Sequence, residues 1–137
     1  MFNILDRAAL DLGLSEVVGP NSDPIVLKML TLDAEWPTDD STPWCSAAVN
    51  WWAWNLGLQR SRSLRARSWI GVGSKIWTKG DVRSHYDLAG FISKGDILIF
   101  SRGRWKPGPE VLKAPGHVAV ATGKCNDLCT KFEVIGG

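Results

Sequence analysis

Two residues of this chain, Cys45 and His117, have types and surroundings that suit nucleophilic catalysis. Cys45 stands where a turn runs into a helical pattern, and His117 opens an apolar run that is typical of a buried strand. A helix N-terminus carries about half a positive charge, which favours thiolate over thiol. An imidazole on a strand beside it could accept a proton from the sulfur and return it later. The pair therefore predicts Cys–His catalysis.

Helical elements are predicted for the first half of the chain. Apolar residues at helical spacing indicate short helices over residues 3–14 and 24–32, the second with Asp23 as N-cap and Pro24 at its first position. Residues 45–56 are apolar on nearly every side, which predicts a buried central helix that ends at Gly57. Cys45 would head this helix and be held rigidly by its packing.

The last third of the chain changes to a strand pattern. Strands are predicted over residues 97–100, 117–121 and 130–135, with a turn over 123–127. Helices followed by antiparallel strands indicate an α+β fold. Between the two halves, the basic segment 59–67 is either a solvated face or a docking patch for an anionic polymer, and residues 68–80 are typical of a loop.

Composition limits the class of protein. The chain has 137 residues, 45% of them hydrophobic and 22% charged, which predicts one ordinary globular domain and a monomer. A net charge of +2 is too weak to indicate a nucleic-acid partner. No stretch reaches the roughly 18 apolar residues of a membrane span, and the N-terminus lacks the pattern of a signal peptide. We expect synthesis in the cytoplasm, without membrane insertion.

The cysteines and tryptophans leave alternatives open. Three cysteines allow Cys125 to pair with Cys129, which leaves Cys45 as a free thiol. The Cys125–Cys129 spacing and the two histidines do not favour zinc, so we expect neither a metal nor a cofactor. Eight tryptophans are unusual, and although most should be core residues, some could stack on sugars.

Four blocks of sequence carry a family resemblance: Pro43 to Trp51, Ala66 to Trp69, Gly95 to Gly103 and Gly116 to Ala119. Together with a lead-in over residues 12–27, they resemble a bacterial and phage group of CHAP-type proteins (cysteine, histidine-dependent amidohydrolase/peptidase). The resemblance spans nearly the whole chain. It implies a papain-like fold in a single catalytic domain over residues 1–137, which would lack the last strands of the family fold. It also implies cleavage of an amide bond in bacterial peptidoglycan, as phage endolysins perform.

The resemblance also bears on the residues around the catalytic pair. Members of the family place a polar residue, commonly Asn and in some Glu, on the strand after the histidine to orient its ring. An Asn would be expected directly after Gly137, and Glu133 is the carboxylate that this chain offers on its own last strand. His85, the second histidine, is predicted to be a surface residue.

Residues near the nucleophile are candidates for substrate contacts. We expect Asp40, Thr42, Trp44 and Trp69 to bind substrate. The backbone N–H of Cys45 would donate to an oxyanion, and Asp39, Asp40 or Thr42 could complete that site.

Three functions follow from these patterns. The first is a peptidoglycan hydrolase, a cysteine amidase or endopeptidase acting on the wall after its release. The second is a non-catalytic module that binds cell wall or sugar, suggested by the tryptophans and the basic segment. The third is an antibacterial amidase toxin, which would use the same chemistry against another bacterium.

Overall fold

A computed structural model describes residues 3–13, 23–34, 44–74, 92–101, 116–126 and 131–137. Within these ranges the helices come first and a small antiparallel sheet follows, which is the predicted α+β arrangement. In chain order the elements are α1 (Ile4–Ala9), α2 (Pro24–Thr31), α3 (Cys45–Asn55), the 3-10 helix η1 (Ala66–Gly71), β1 (Ile97–Ser101), β2 (Gly116–Cys125) and β3 (Phe132–Ile135).

The first two helices begin at side-chain caps. Asn3 and Asp6 form a reciprocal capping box at the start of α1. At α2, Asp23 Oδ1 accepts hydrogen bonds from the backbone N–H groups of Ile25 and Val26 at 2.8 and 3.2 Å. The predicted start of α2 is confirmed, because Asp23 supplies the acceptor and Pro24 needs none.

Helix α3 is the buried centre of the described structure. Its residues from Cys45 to Asn50 are all buried, and it packs against α1, α2 and β2. It ends in a Schellman motif, in which Gly57, with φ +67°, lets the N–H of Leu58 reach the carbonyl of Ala53 at 2.9 Å. The sequence-based prediction for this helix is confirmed, including its stop at Gly57.

The sheet has the order β1-β2-β3, and β2 is paired on both sides. Strand β2 extends to Cys125, so the turn predicted at residues 123–127 begins too early. Gly123 explains the difference: it has φ +90° at an irregularity of the β2–β3 pairing, and a Cβ there would lie 3.1 Å from Lys94 Cβ. Residues whose types are typical of a turn therefore lie inside strand β2.

The segment between α3 and the sheet is more ordered and more buried than predicted. The 3-10 helix η1 covers residues 66–71, so residues 68–71 are helical rather than part of the predicted loop. Within the basic segment, Arg67 is 2% exposed and Arg60 forms an ion pair with Asp33. Neither a solvated face nor a docking patch describes these two arginines, whereas Arg62 and Arg65 are exposed.

No helix in the described ranges is both long enough and apolar enough to cross a membrane.

Candidate active site

Cys45 is the first residue of α3 and a free cysteine. Its side chain is largely buried, with 7% of the residue exposed, in the core shared by the helices and β2. Trp44 is the N-cap residue and contributes no side-chain cap, while its carbonyl accepts from Ala48 N at 2.9 Å. The first backbone N–H groups of α3 have no acceptor within the helix. They therefore favour a negative charge at the helix start, where Cys45 lies.

A buried polar network lies directly behind the cysteine. Ser46 is fully buried, and its hydroxyl accepts a hydrogen bond from Trp69 Nε1 at 3.0 Å. Asn50, one turn further along α3, donates from Nδ2 to the carbonyl of Ser63 at 3.1 Å and accepts at Oδ1 from Arg62 N at 2.9 Å. The network fixes the segment after α3 against the helix that begins at Cys45.

Trp69 therefore has a different role from the one predicted. The residue is 3% exposed, and its indole N–H is already used in the bond to Ser46. A side chain with so little exposed surface cannot stack on a substrate. The prediction of a substrate contact for Trp69 is corrected to a packing role beneath the start of α3. Trp44, by contrast, is half-buried beside Cys45.

His117 is the second residue of β2 and is half-buried. Across the sheet it pairs with Phe100 of β1, and the two rings stack with centroids 6.4 Å apart and planes 27° apart. On the β3 side, a Cβ added to Gly136 would lie 3.2 Å from His117 Nε2. The imidazole thus has the ring of Phe100 on its β1 side and the backbone of Gly136 on its β3 side.

The two glycines after β3 connect the histidine to the start of α3. A Cβ added to Gly136 would lie 3.2 Å from His117 Nε2, and one added to the next residue, Gly137, would lie 2.6 Å from Trp44 Cε3. Because Gly136 and Gly137 are adjacent and Trp44 directly precedes Cys45, the two predicted catalytic residues lie in one neighbourhood of the structure. This is the main structural relation between them.

The alternation of side chains along β2 limits how His117 can approach Cys45. Val118 and Val120 belong to the core that includes α3, so the alternate residues His117 and Ala119 lie on the opposite face of β2. A direct contact between the imidazole and Cys45 needs the ring to reach round the start of the strand. Gly136 adds no side chain of its own beside the ring.

Glu133 does not lie near the histidine. Its backbone carbonyl accepts a hydrogen bond from Thr122 Oγ1 at 3.3 Å, and its side chain is exposed. Thr122 lies roughly 15 Å along β2 from His117. The predicted role of Glu133 in orienting the ring is therefore corrected: the pairing of β2 with β3 places it too far along the strand.

A buried arginine near the histidine was missed by the sequence analysis. Arg67 donates from Nη2 to Ser101 Oγ at 3.2 Å, and its Cγ would lie 3.1 Å from a Cβ added to Gly116. Ser101 and Gly116 are paired residues at the edge where β2 begins. Arg67 therefore supports the backbone that directly precedes His117. Arg67 lies in the block Ala66 to Trp69, which carries part of the family resemblance, and this position was the signal in the sequence that could have identified it.

Several predicted residues fall outside the ranges that the structure describes: Asp39, Asp40, Thr42, His85 and Cys129. Cys125 is disulfide-bonded and Cys45 is free. Both facts agree with the prediction that Cys45 is left as a free thiol. No three His, Cys, Asp or Glu side chains come together as a metal site would need in the part of the chain that the structure covers.

Comparison with known proteins gives no relative from which a function could be transferred: no family model, no curated protein and no solved structure matches the chain.

Proposed function

We propose that this protein is a cysteine hydrolase with a papain-like, CHAP-type fold that cleaves an amide bond of bacterial peptidoglycan. The observation that carries the proposal is the junction at the start of α3. There a free cysteine begins a helix whose first N–H groups lack intrahelical acceptors, and Gly136 and Gly137 link Trp44 to the imidazole of His117. The substrate class, bacterial peptidoglycan, is inferred from the family resemblance of the sequence.

The chemistry assigned to these residues is acyl transfer to the cysteine followed by hydrolysis. His117 accepts the proton of the Cys45 thiol, and the sulfur attacks the carbonyl carbon of the amide. The backbone N–H of Cys45 donates to the oxygen as it becomes negative. His117 then gives its proton to the departing amine, and water, deprotonated by the same imidazole, releases the acyl group and regenerates the thiol.

The register of the sheet supports the resemblance at the position that orients the imidazole. Val120 is paired with Ile135 at the end of β3, and the same register continued further would set Ala119 opposite Gly136 and Val118 opposite Gly137. Continued by one more residue, that register would set a position following Gly137 opposite His117. That is where the resemblance expects an Asn. A side chain there would share the face of the imidazole, as paired residues of antiparallel strands do.

Lysis of the wall by a phage endolysin is the biological setting that we propose. The protein would be made in the cytoplasm and would meet peptidoglycan after release, acting as a monomer without a metal or cofactor. Exposed aromatic surface favours one alternative. Trp54, 50% exposed on α3, packs against Trp51 with ring centroids 5.3 Å apart, which is the kind of surface on which sugars stack. A non-catalytic wall-binding module would use that surface.

Digestion of purified cell walls by the wild type, Cys45→Ala and His117→Ala tests the proposal. We expect the wild type to release soluble fragments with new amino termini. Each variant should lose more than about a thousandfold in rate, because the members of a nucleophile–base pair act as a unit. Mass spectrometry of the fragments identifies the bond that is cut.

The matched control is His85→Ala, which removes the other histidine and should digest walls at the wild-type rate. Circular dichroism of every variant separates loss of chemistry from loss of fold. Full activity in Cys45→Ala would overturn the proposal. Walls that retain the wild-type protein without releasing fragments would favour the binding module instead.

A further inference from the structure

The imidazole of His117 is placed between its two neighbours across the sheet. Strand β2 is central, and His117 is paired with Phe100 on β1 while Gly136 approaches from the β3 side. Pairing between antiparallel strands brings such side chains to the same face. The orientation of the ring is therefore subject to contacts from both adjacent strands.

Phe100 is unusual for a residue in this place. It is 41% exposed, and it is the large apolar residue of β1 that stands out from the core, whereas Ile97 and Ile99 pack inward. Its ring lies over the imidazole at 6.4 Å with a tilt of 27°, within the range of an offset aromatic stack. Rotation of the imidazole about its Cβ–Cγ bond would lose this contact. The stack therefore restricts the ring to one plane.

Gly136 acts on the opposite side. A Cβ at this position would lie 3.0 Å from Ala119 Cβ and 3.2 Å from His117 Nε2, closer than side chains normally approach without displacing a neighbour. With glycine, the imidazole keeps its plane against Phe100 without a clash from the β3 side. With any other residue, the ring would be pushed away from the backbone of β3.

We propose that Phe100 is a positioning residue for His117, which restricts the imidazole to the plane of the stack, and that Gly136 leaves the space this plane needs. The inference rests on the proposed function, because it assigns Phe100 a role in the Cys–His pair. Phe100 touches the base and not the reacting atoms. It acts on the rate through the orientation of the ring.

The experiment measures the rate at which Cys45 reacts with iodoacetamide between about pH 4 and pH 9, where an assembled thiolate–imidazolium pair reacts at low pH. Phe100→Leu keeps an apolar side chain but removes the stack, and we expect its alkylation at low pH to fall about tenfold. Phe100→Tyr keeps the stack and should retain the wild-type profile. Gly136→Ala should lose low-pH reactivity as Phe100→Leu does.

Matched controls separate positioning from general packing. Phe132→Leu makes the same change on β3, where Phe132 pairs with Cys125 far from the histidine, and should retain the wild-type profile. Gly71→Ala adds a methyl group where no atom lies within 4 Å, and should also leave the profile unchanged.

The two proposals fail in different ways. Low-pH alkylation that is the same in the wild type and in His117→Ala would show that no Cys–His pair exists, which overturns the proposed function and this inference with it. A wild-type profile that depends on His117 but is unchanged in Phe100→Leu would overturn the positioning role alone. The positioning role also fails if Phe100→Tyr loses as much low-pH reactivity as Phe100→Leu.

Discussion

At the scale of single residues, Asn50 shows how the helix that begins at Cys45 is fixed. Its amide is 1% exposed and uses both ends: Nδ2 donates to the carbonyls of Ser46 and Ser63 at 3.0 and 3.1 Å, and Oδ1 accepts from Arg62 N. A side chain with one acceptor and two donors matches this set of backbone groups. The loop after α3 thus depends on a residue one turn beyond Cys45.

Asn50→Ala tests this dependence. We expect the free energy of unfolding, measured in urea, to fall by about 2–3 kcal/mol, because buried backbone groups of the loop lose their partner and a small cavity remains. Asn55→Ala is the control, since Asn55 is exposed and donates to the Trp51 carbonyl on the surface of the same helix. If both variants lose the same small amount of stability, the network contributes nothing specific.

Such residues also mark the limit of prediction from sequence. Cys45 and His117 were found because each opens a recognisable element. Arg67, Asn50 and Ser46 were not, because the partners that bury them lie far away in the chain, as Ser101 does from Arg67. Segment 59–67 looked like a solvated surface for the same reason. Local composition carries no information about a partner that only the fold supplies.

At the scale of elements, local sequence signals predict the helices more accurately than the strands. The starts of α2 and α3 and the stop at Gly57 were predicted, because caps and stops depend on residues adjacent in sequence. The 3-10 helix η1 and the full length of β2 were not predicted. Gly123 is typical of a turn, but it lies inside β2, where its missing side chain lets the strand lie close to Lys94. This close approach depends on the fold and is not visible in the local sequence.

The cap of α2 gives a prediction at this scale. Asp23→Ala removes the acceptor for two N–H groups, so we expect about 1 kcal/mol less stability towards urea. Asp23→Ser supplies a hydroxyl acceptor and should recover most of the loss. The control is Lys28→Ala on the exposed side of the same helix. A full loss in Asp23→Ser as well would contradict the capping explanation.

At the scale of the whole molecule, the distribution of charge differs from what the sequence alone suggests. Two arginines of the basic segment are internal: Arg67 is buried, and the side chain of Arg60, 8% exposed, forms an ion pair with Asp33. Segment 59–67 therefore presents less positive surface than its composition implies. With a net charge of +2, general attraction to anionic polymers is a weak means of recognition. If the proposed function holds, recognition of the wall would depend on contacts other than general charge attraction.

The Arg60–Asp33 pair also links parts of the chain that are distant in sequence. Asp33 follows α2 and Arg60 follows α3, and their side chains are 13% and 8% exposed. Because neither charge is well solvated, removal of one partner leaves the other buried without compensation. We expect Arg60→Met to lower the free energy of unfolding in urea by about 3 kcal/mol or more, and Asp33→Leu to do the same.

The double variant distinguishes an ion pair from two independent packing sites. Arg60→Met combined with Asp33→Leu should lose much less than the sum of the single variants, since an apolar pair leaves no buried charge behind. Arg65→Met removes the same charge from an exposed position and should change stability by less than about 0.5 kcal/mol. Additive losses in the double variant would mean that each side chain stabilises the fold separately.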